Sequence, residues 1–211
     1  MSSSRESLSV INVMWLMVFF IVFTWSAINP IDRLTWFLEV LPALIGLVLI
    51  VFTRKTFPLT SLLYGLILVH CVILMIGGHY TYAEVPLFDW FKEWFGWERN
   101  NYDKVGHFAQ GFVPAILARE ILIRKAVVGS ERWVNFFSIS VALAFSAFYE
   151  LIEWWVALLS DEGAEAFLGT QGYEWDTQSD MGWALMGAIL AVALLRKLHN
   201  QKLSKLCECY H

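Results

Sequence analysis

The sequence predicts an all-α membrane protein: a bundle of six transmembrane helices with a short external helix. Of its 211 residues, 58% are hydrophobic and only 16% are charged, whereas soluble domains carry about 25% charged residues. Its mean hydropathy is +0.56. Six apolar runs are long enough to cross about 30 Å of hydrocarbon as helices. Each run should be helical because lipid offers backbone amides no hydrogen-bond partner.

The six predicted spans follow one another without a low-complexity linker, so residues 1–211 are expected to form a single integral membrane domain. The first run follows only Arg5 and precedes no A-x-A cleavage motif, which favours a retained helix over a signal peptide. The predicted spans are 11–28, 36–51, 59–76, 105–123, 133–158 and 181–198.

The stretch PLFDWFKEWFGW, between the third and fourth spans, predicts the external helix. Phe88, Phe91, Trp94 and Phe95 recur at helical spacing with charged residues between them. This pattern is typical of a helix lying in the headgroup region of a membrane. The sequence leaves open whether that helix acts as a lid or only as an aromatic anchor.

The distribution of Lys and Arg predicts that both termini are cytoplasmic, because short cation-rich loops stay on that side. The two long connections, 77–104 and 159–180, are then external. The net charge of −4 leaves no basic surplus for binding nucleic acid. Eleven of the 15 cations fall inside: Arg5, Arg54, Lys55, Arg119, Arg124, Lys125, Arg132, Arg196, Lys197, Lys202 and Lys205.

Ionisable residues gather at the predicted outer ends of four spans. Residues three or four apart share one helix face. An ionised group at the bilayer centre costs about 2.5–3.5 kcal/mol on insertion scales, so such groups normally face the interior and have partners. The set comprises His79 at the end of the third span, Asp103 and His107 on the fourth, Glu150 and Glu153 on the fifth, and Asp176 and Asp180 on the sixth.

A metal ion, a cationic partner or protonation could each account for these groups. Only Lys104 lies nearby in sequence, so we expect cationic partners to be scarce. Mixed imidazole and carboxylate ligands favour a divalent transition metal, namely Zn, Mn or Fe. We predict metal ligation by His79, Asp103, His107, Asp176 and Asp180, with Glu150 and Glu153 as catalytic residues, either further ligands or the general base. His199 is expected to have no chemical role.

Four stretches resemble the YjdF-like family of bacterial inner-membrane proteins: GGHYTYAEVP, NNYDKVGHFAQGF, SAFYELIEWW and FLGTQGYEWDTQSDM. The resemblance covers nearly the whole chain except its tail. DKVGHF followed by a late D-x-x-x-D-MGWALMG is more distantly similar to VanZ-like membrane proteins, which are associated with glycopeptide-antibiotic tolerance. The YjdF-like resemblance implies a multi-pass protein of the inner membrane, and it implies no reaction because that family's function is unassigned.

The residues themselves predict a metal-dependent enzyme acting on a lipid or lipid-linked envelope substrate at the outer leaflet, by hydrolysis or headgroup transfer. At such a site a metal could polarise a carbonyl or phosphoryl oxygen. The alternative is a proton- or cation-coupled binding or transport protein that uses Glu150, Glu153 and His107. A third reading is structural, with the acids hydrogen-bonded near Tyr102 and Tyr149. The sequence identifies neither the metal, the substrate nor the oligomeric state.

Overall fold

The computed structural model describes residues 2–159 and 170–210, and these residues form seven helices and no strand. The all-α prediction is therefore confirmed for the described residues. Part of the predicted second external connection, residues 160–169, lies outside them. The helices are α1 Ser2–Ala27, α2 Arg33–Thr53, α3 Ser61–His79, α4 Pro86–Phe95, α5 Tyr102–Arg124, α6 Glu131–Leu159 and α7 Asp176–Tyr210. Each predicted span overlaps one of these helices, and α4 occupies the predicted external segment.

Four of the described helices are long and apolar enough to cross a membrane: α2, α3, α6 and, within α7, Asp176–Leu206. Helices α1 and α5, which overlap the other two predicted spans, are not among these four candidate spans. The reasons differ for the two helices. The apolar part of α1, Asn12–Ala27, is shorter than these four. Helix α5 carries polar and charged side chains at both ends, including Asp103, His107, Arg119 and Glu120, and all four are buried.

Helix boundaries follow from local capping. The Asp32 carboxylate accepts a hydrogen bond from the Thr35 backbone N–H at 2.7 Å and begins α2. This bond lowers the pKa of Asp32 below its usual value because the N–H stabilises the ionised form. Pro86 occupies the first turn of α4, and Gly96 ends that helix with a φ of +65°, which glycine adopts without steric cost.

Helix α5 lies at the centre of one half of the molecule and packs against α3, α6 and α7. Small residues bring α5 and α7 into close contact. A Cβ atom on Gly111 would overlap the carbonyl group of Ala184, and one on Gly187 would overlap the carbonyl oxygen of Phe108. The apolar core here comprises Leu59, Leu63, Val113, Ala115, Ile116, Ala142, Ala188, Ala191 and Val192. Helices α1, α2 and α3 form a second core around Phe19, Val40, Ala43, Cys71 and Met75.

We expect Gly111→Ala to lower the melting temperature, because the added methyl must push the α5 and α7 backbones apart. Overpacking of this kind typically costs about 1–3 kcal/mol. Gly65→Ala is the matched control, since a Cβ at this position in α3 meets no neighbouring atom within 4 Å. Both variants would be measured by thermal unfolding in the same detergent. Equal melting temperatures for Gly111→Ala and Gly65→Ala would contradict the close packing of α5 on α7.

Candidate functional site

Six predicted site residues meet in one buried group, which we call the acidic cluster: Asp103 and His107 of α5, Glu150 and Glu153 of α6, and Asp176 and Asp180 of α7. None is more than 8% exposed. Helical spacing places each pair on one face, and on α6 the buried stripe continues through Ser146, Ala142 and Ser138. Three consecutive packed helices therefore direct their polar faces to a common point.

His107 lies at the centre of the acidic cluster. Its Nε2 atom is 3.2 Å from Asp103 Oδ1 and 3.9 Å from Asp180 Oδ2. Its Nδ1 atom is 3.0 Å from the Gln110 side-chain oxygen and 3.7 Å from Glu150 Oε1. Carboxylates therefore face the imidazole from both sides.

Within the part of the chain that the structure describes, two overlapping sets of side chains could hold a metal ion. One is Asp103, His107 and Asp180, and the other is His107, Glu150 and Glu153; in each set the ligand atoms lie within 4.8 Å of one another. Among the described residues, Glu150 Oε1 and Asp180 Oδ1 are buried and have no hydrogen-bond partner. A buried acceptor left without a donor is costly, so both oxygens have free lone pairs suited to a cation or a proton.

The hydrogen bond between His107 and Gln110 distinguishes the two sets, because the Gln110 side-chain oxygen can only accept it. An amide oxygen only accepts, so the Nδ1 atom of a neutral His107 carries the hydrogen and donates it to Gln110. The lone pair then lies on Nε2, which faces Asp103 and Asp180. A second hydrogen bond of this kind typically orients a metal-binding histidine. The set Asp103, His107 and Asp180 is therefore the better arranged for a metal.

Arg99 binds two of the carboxylates and was not predicted. Its guanidinium forms ion pairs with Asp176 and, at 3.6 Å, with Asp103. The expectation that cationic partners are scarce is therefore wrong for these two acids. Arg99 lies in the connection before α5, four residues ahead of Asp103, and the irregular path of a connection gives no periodic pattern that would indicate its partners. Asp176, predicted as a ligand, binds Arg99 and belongs to neither potential metal set.

The structure places His79, another predicted ligand, away from both potential metal sets. Its Nδ1 atom lies 2.9 Å from the backbone carbonyl oxygen of Ser26. The ring packs on Trp25 and Tyr80, with centroid distances of 4.6 and 4.5 Å. His79 therefore joins α3 to the end of α1.

Glu39 of α2 is a further buried acid beside the cluster. It is 6% exposed, and the Tyr149 hydroxyl donates to its Oε2 atom at 3.3 Å. Tyr82 also interacts with it from the connection after α3, and burial raises the pKa of Tyr82 well above its usual value, so the hydroxyl stays protonated. Glu39 could have been found as an ionisable residue within the predicted span 36–51. Gln110 gave no such signal because it is uncharged.

A second buried polar group, the Glu120 network, lies at the other end of α5. Glu120 accepts hydrogen bonds from the Thr60 backbone N–H and hydroxyl at 3.0 and 2.8 Å, and from His199 Nε2 at 3.1 Å. Arg119 donates to His199 Nδ1 at 2.9 Å. Because a guanidinium only donates, His199 must accept at Nδ1 and donate from Nε2. His199 thus links α5 to α7, a structural role that its sequence context did not indicate.

Comparison with known proteins gives a family and no reaction. Residues 11–201 match the family described as a predicted membrane protein, DUF2238. Over 185 residues the chain is 51% identical to the inner membrane protein YjdF of Escherichia coli strain K12, covering 88% of each chain. The chain belongs to the DUF2238 family, which confirms the YjdF-like resemblance, and it is a multi-pass inner-membrane protein. No solved structure matches it.

We expect Arg99→Gln to destabilise the protein, because Asp103 and Asp176 would lose their guanidinium partner while remaining buried. Removing one member of a buried ion pair typically costs about 3–5 kcal/mol. The control is Arg33→Gln, at an exposed arginine. Melting temperatures in one detergent would be compared, and adding Asp176→Asn to Arg99→Gln should restore part of the loss. A loss no larger than that of Arg33→Gln would contradict the assigned pairing.

Proposed function

We propose that this DUF2238 protein is a metal-dependent enzyme acting on a lipid or lipid-linked envelope substrate at the outer leaflet, by hydrolysis or headgroup transfer. The observation that carries the proposal is the set Asp103, His107 and Asp180, an imidazole and two carboxylates buried together with ligand atoms within 4.8 Å. Mixed nitrogen and oxygen donors of this kind suit Zn, Mn or Fe.

His107 Nε2, Asp103 and Asp180 would hold the metal. Gln110 would fix the imidazole through Nδ1, and Arg99 would orient the Asp103 carboxylate. The bound metal would supply a Lewis acid that polarises a carbonyl or phosphoryl oxygen of the substrate. Ligand placement would then depend on contacts already present between α5, α7 and the connection before α5.

Glu150 is our candidate for the general base. Its Oε1 atom is buried, accepts no hydrogen bond from the described residues, and lies 3.7 Å from His107 Nδ1. Glu153 lies three residues further along the same face of α6 and is also buried. Two adjacent carboxylates repel one another when both are ionised, so one proton shared between them is favoured. Such a pair could accept a proton from an attacking hydroxyl group.

We also propose that the chain crosses the membrane six times, with both termini in the cytoplasm. The apolar part of α1 and the central helix α5 would add to the four candidate spans. Burial of the polar residues of α5 within the bundle supports its crossing, since few of its charges would meet lipid. In this orientation the acidic cluster lies towards the outer leaflet. The exposed Trp90 and Trp94 support α4 as an interfacial helix.

A proton- or cation-coupled transporter is the second candidate function. It is favoured by the position of His107 between carboxylates and by the buried Glu120 network on the same helix. His107 and Arg119 are twelve residues apart, or about 18 Å along α5. The apolar side chains of Val113, Ile116 and Ala142 fill the region between them. A proton or cation moving between the two polar groups would have to cross this apolar region, so we rank transport below catalysis as a proposed function.

We expect purified protein to carry about one or two equivalents of a transition metal, as a site with a few protein ligands would. His107→Ala and Asp180→Asn should each weaken metal binding by about ten-fold or more, because each removes a direct ligand. Metal content would be measured by inductively coupled plasma mass spectrometry. Glu93→Gln, at an exposed acid of α4, is the control.

The same preparations test the catalytic assignment. Glu150→Gln should retain the metal and yet lose about 10²–10⁴-fold in chelator-sensitive release of headgroups from vesicles of bacterial lipid. Equal metal content in wild type, His107→Ala and Asp180→Asn would rule out the ligand set. Metal binding with no headgroup release in wild type would reject the hydrolase assignment alone.

Orientation is tested by single cysteines in a cysteine-free background. Lys92→Cys on α4 should react with a membrane-impermeant maleimide in intact cells. Lys125→Cys, at the end of α5, should react only after the cells are permeabilised, because cation-rich loops remain cytoplasmic. The reverse labelling pattern would move the acidic cluster to the cytoplasmic leaflet and refute the proposed location of the site.

A further inference from the structure

A cavity of about 840 Å³ lies beside the acidic cluster, and we call it the Arg99 cavity. Its walls come from Phe88 of α4, the connection into α5, the first turns of α5, residues 171–173 and Trp183 of α7. Arg99 lines the cavity and also pairs with Asp103 and Asp176. A molecule in the cavity would therefore contact the arginine that borders the cluster. The volume is in the range of small-molecule sites.

The polar groups of the cavity suit an anion that carries hydroxyl groups. Arg99 and Lys104 contribute two cations against the single carboxylate of Glu98. Among the described residues, Lys104 has no ion-pair partner. The Asn101 amide nitrogen donates to the Arg99 carbonyl oxygen at 3.3 Å, whereas its buried side-chain oxygen accepts no hydrogen bond from them. A phosphate would suit the cations, and a hydroxyl could donate to Asn101.

The neighbouring surface of α4 indicates that such a headgroup is attached to a lipid. Trp94, Phe95 and Trp97 are 67%, 59% and 40% exposed. Their rings stack in a row, with centroid distances of 5.4 and 5.2 Å. Trp97 also lines the cavity, so the exposed apolar surface continues into it. Acyl chains could lie along this row while the polar headgroup enters the cavity.

We propose that the Arg99 cavity binds the phosphate of an anionic membrane phospholipid with a hydroxylated headgroup. Lys104 and the edge of Arg99 contact the phosphate, Asn101 and Glu98 accept from headgroup hydroxyls, and Trp97 contacts the start of the chains. The claim that the cavity binds the substrate rests on the proposed function. The claim that it binds a lipid depends only on the cavity and the side chains that line it. A free polyol phosphate shares the headgroup chemistry and lacks the chains.

The test uses full-length protein purified in detergent and stripped of metal with a chelator, so its outcome does not depend on the metal site. The protein is equilibrated with equal amounts of phosphatidylglycerol and phosphatidylcholine, and native mass spectrometry counts the lipids that stay bound. Both lipids carry the phosphate, but only phosphatidylglycerol has headgroup hydroxyls that can donate to Asn101 and Glu98. Choline instead brings a further cation towards Lys104 and Arg99. We expect wild type to retain phosphatidylglycerol over phosphatidylcholine by about ten-fold, as one hydrogen bond to a charged group would give. Excess glycerol 3-phosphate should displace little of it.

Lys104→Gln should lower both the amount of phosphatidylglycerol bound and the lipid ratio, because it removes a cation that contacts the phosphate and repels choline. Lys92→Gln is the matched control, a cation of α4 outside the cavity, and should retain the wild-type ratio. Asn101→Asp, which places a negative charge beside the phosphate, is a second variant should Lys104→Gln fail to fold. A wild-type ratio near one, or equal losses in Lys104→Gln and Lys92→Gln, would overturn the proposal. Complete displacement by an equimolar amount of glycerol 3-phosphate would overturn the lipid assignment.

Discussion

The removal of carboxylates from water is the constraint on which the rest of this structure depends. Five acids of the cluster and the adjacent Glu39 are each no more than 8% exposed. Each buried ion loses several kcal/mol of solvation that its partners must restore. The described cationic groups that contact them are Arg99 and, when protonated, His107. Positive charge is therefore scarcer than carboxylate among the described groups of the cluster, and the proposed metal would supply some of it.

This constraint also explains the position of α5. A helix with charged groups near both ends is poorly suited to lipid, and α5 instead packs against α3, α6 and α7. Close packing is possible because Gly111 and Gly187 allow the backbones of α5 and α7 to approach. The same approach brings Asp180 to within 3.9 Å of His107. The close packing in the middle of α5 therefore also brings together the polar side chains at its end.

Much of this could be predicted from the sequence, because lipid leaves the backbone few choices and helical spacing fixes which side chains share a face. Six predicted residues lie in one buried cluster, as their helical spacing indicated: Asp103, His107, Glu150, Glu153, Asp176 and Asp180. The ion pairs of Arg99 could not be predicted, because this residue lies in a connection between helices. The path of a connection has no regular repeat that would indicate which side chains it meets. His79 illustrates the opposite failure: its position at a helix end suggested the cluster, but the ring packs on α1 instead. Residue spacing predicts which side chains share one face of a helix. It does not predict which other helix that face packs against.

The participation of α7 in both polar groups has a consequence for folding. The Glu120 network needs His199, and the acidic cluster needs Asp176 and Asp180, and all three lie on α7, which follows the other described helices in the chain. Until α7 docks, Glu120 lacks one hydrogen-bond donor and Arg99 lacks one of its carboxylate partners. Docking of α7 therefore completes both buried polar groups in one step.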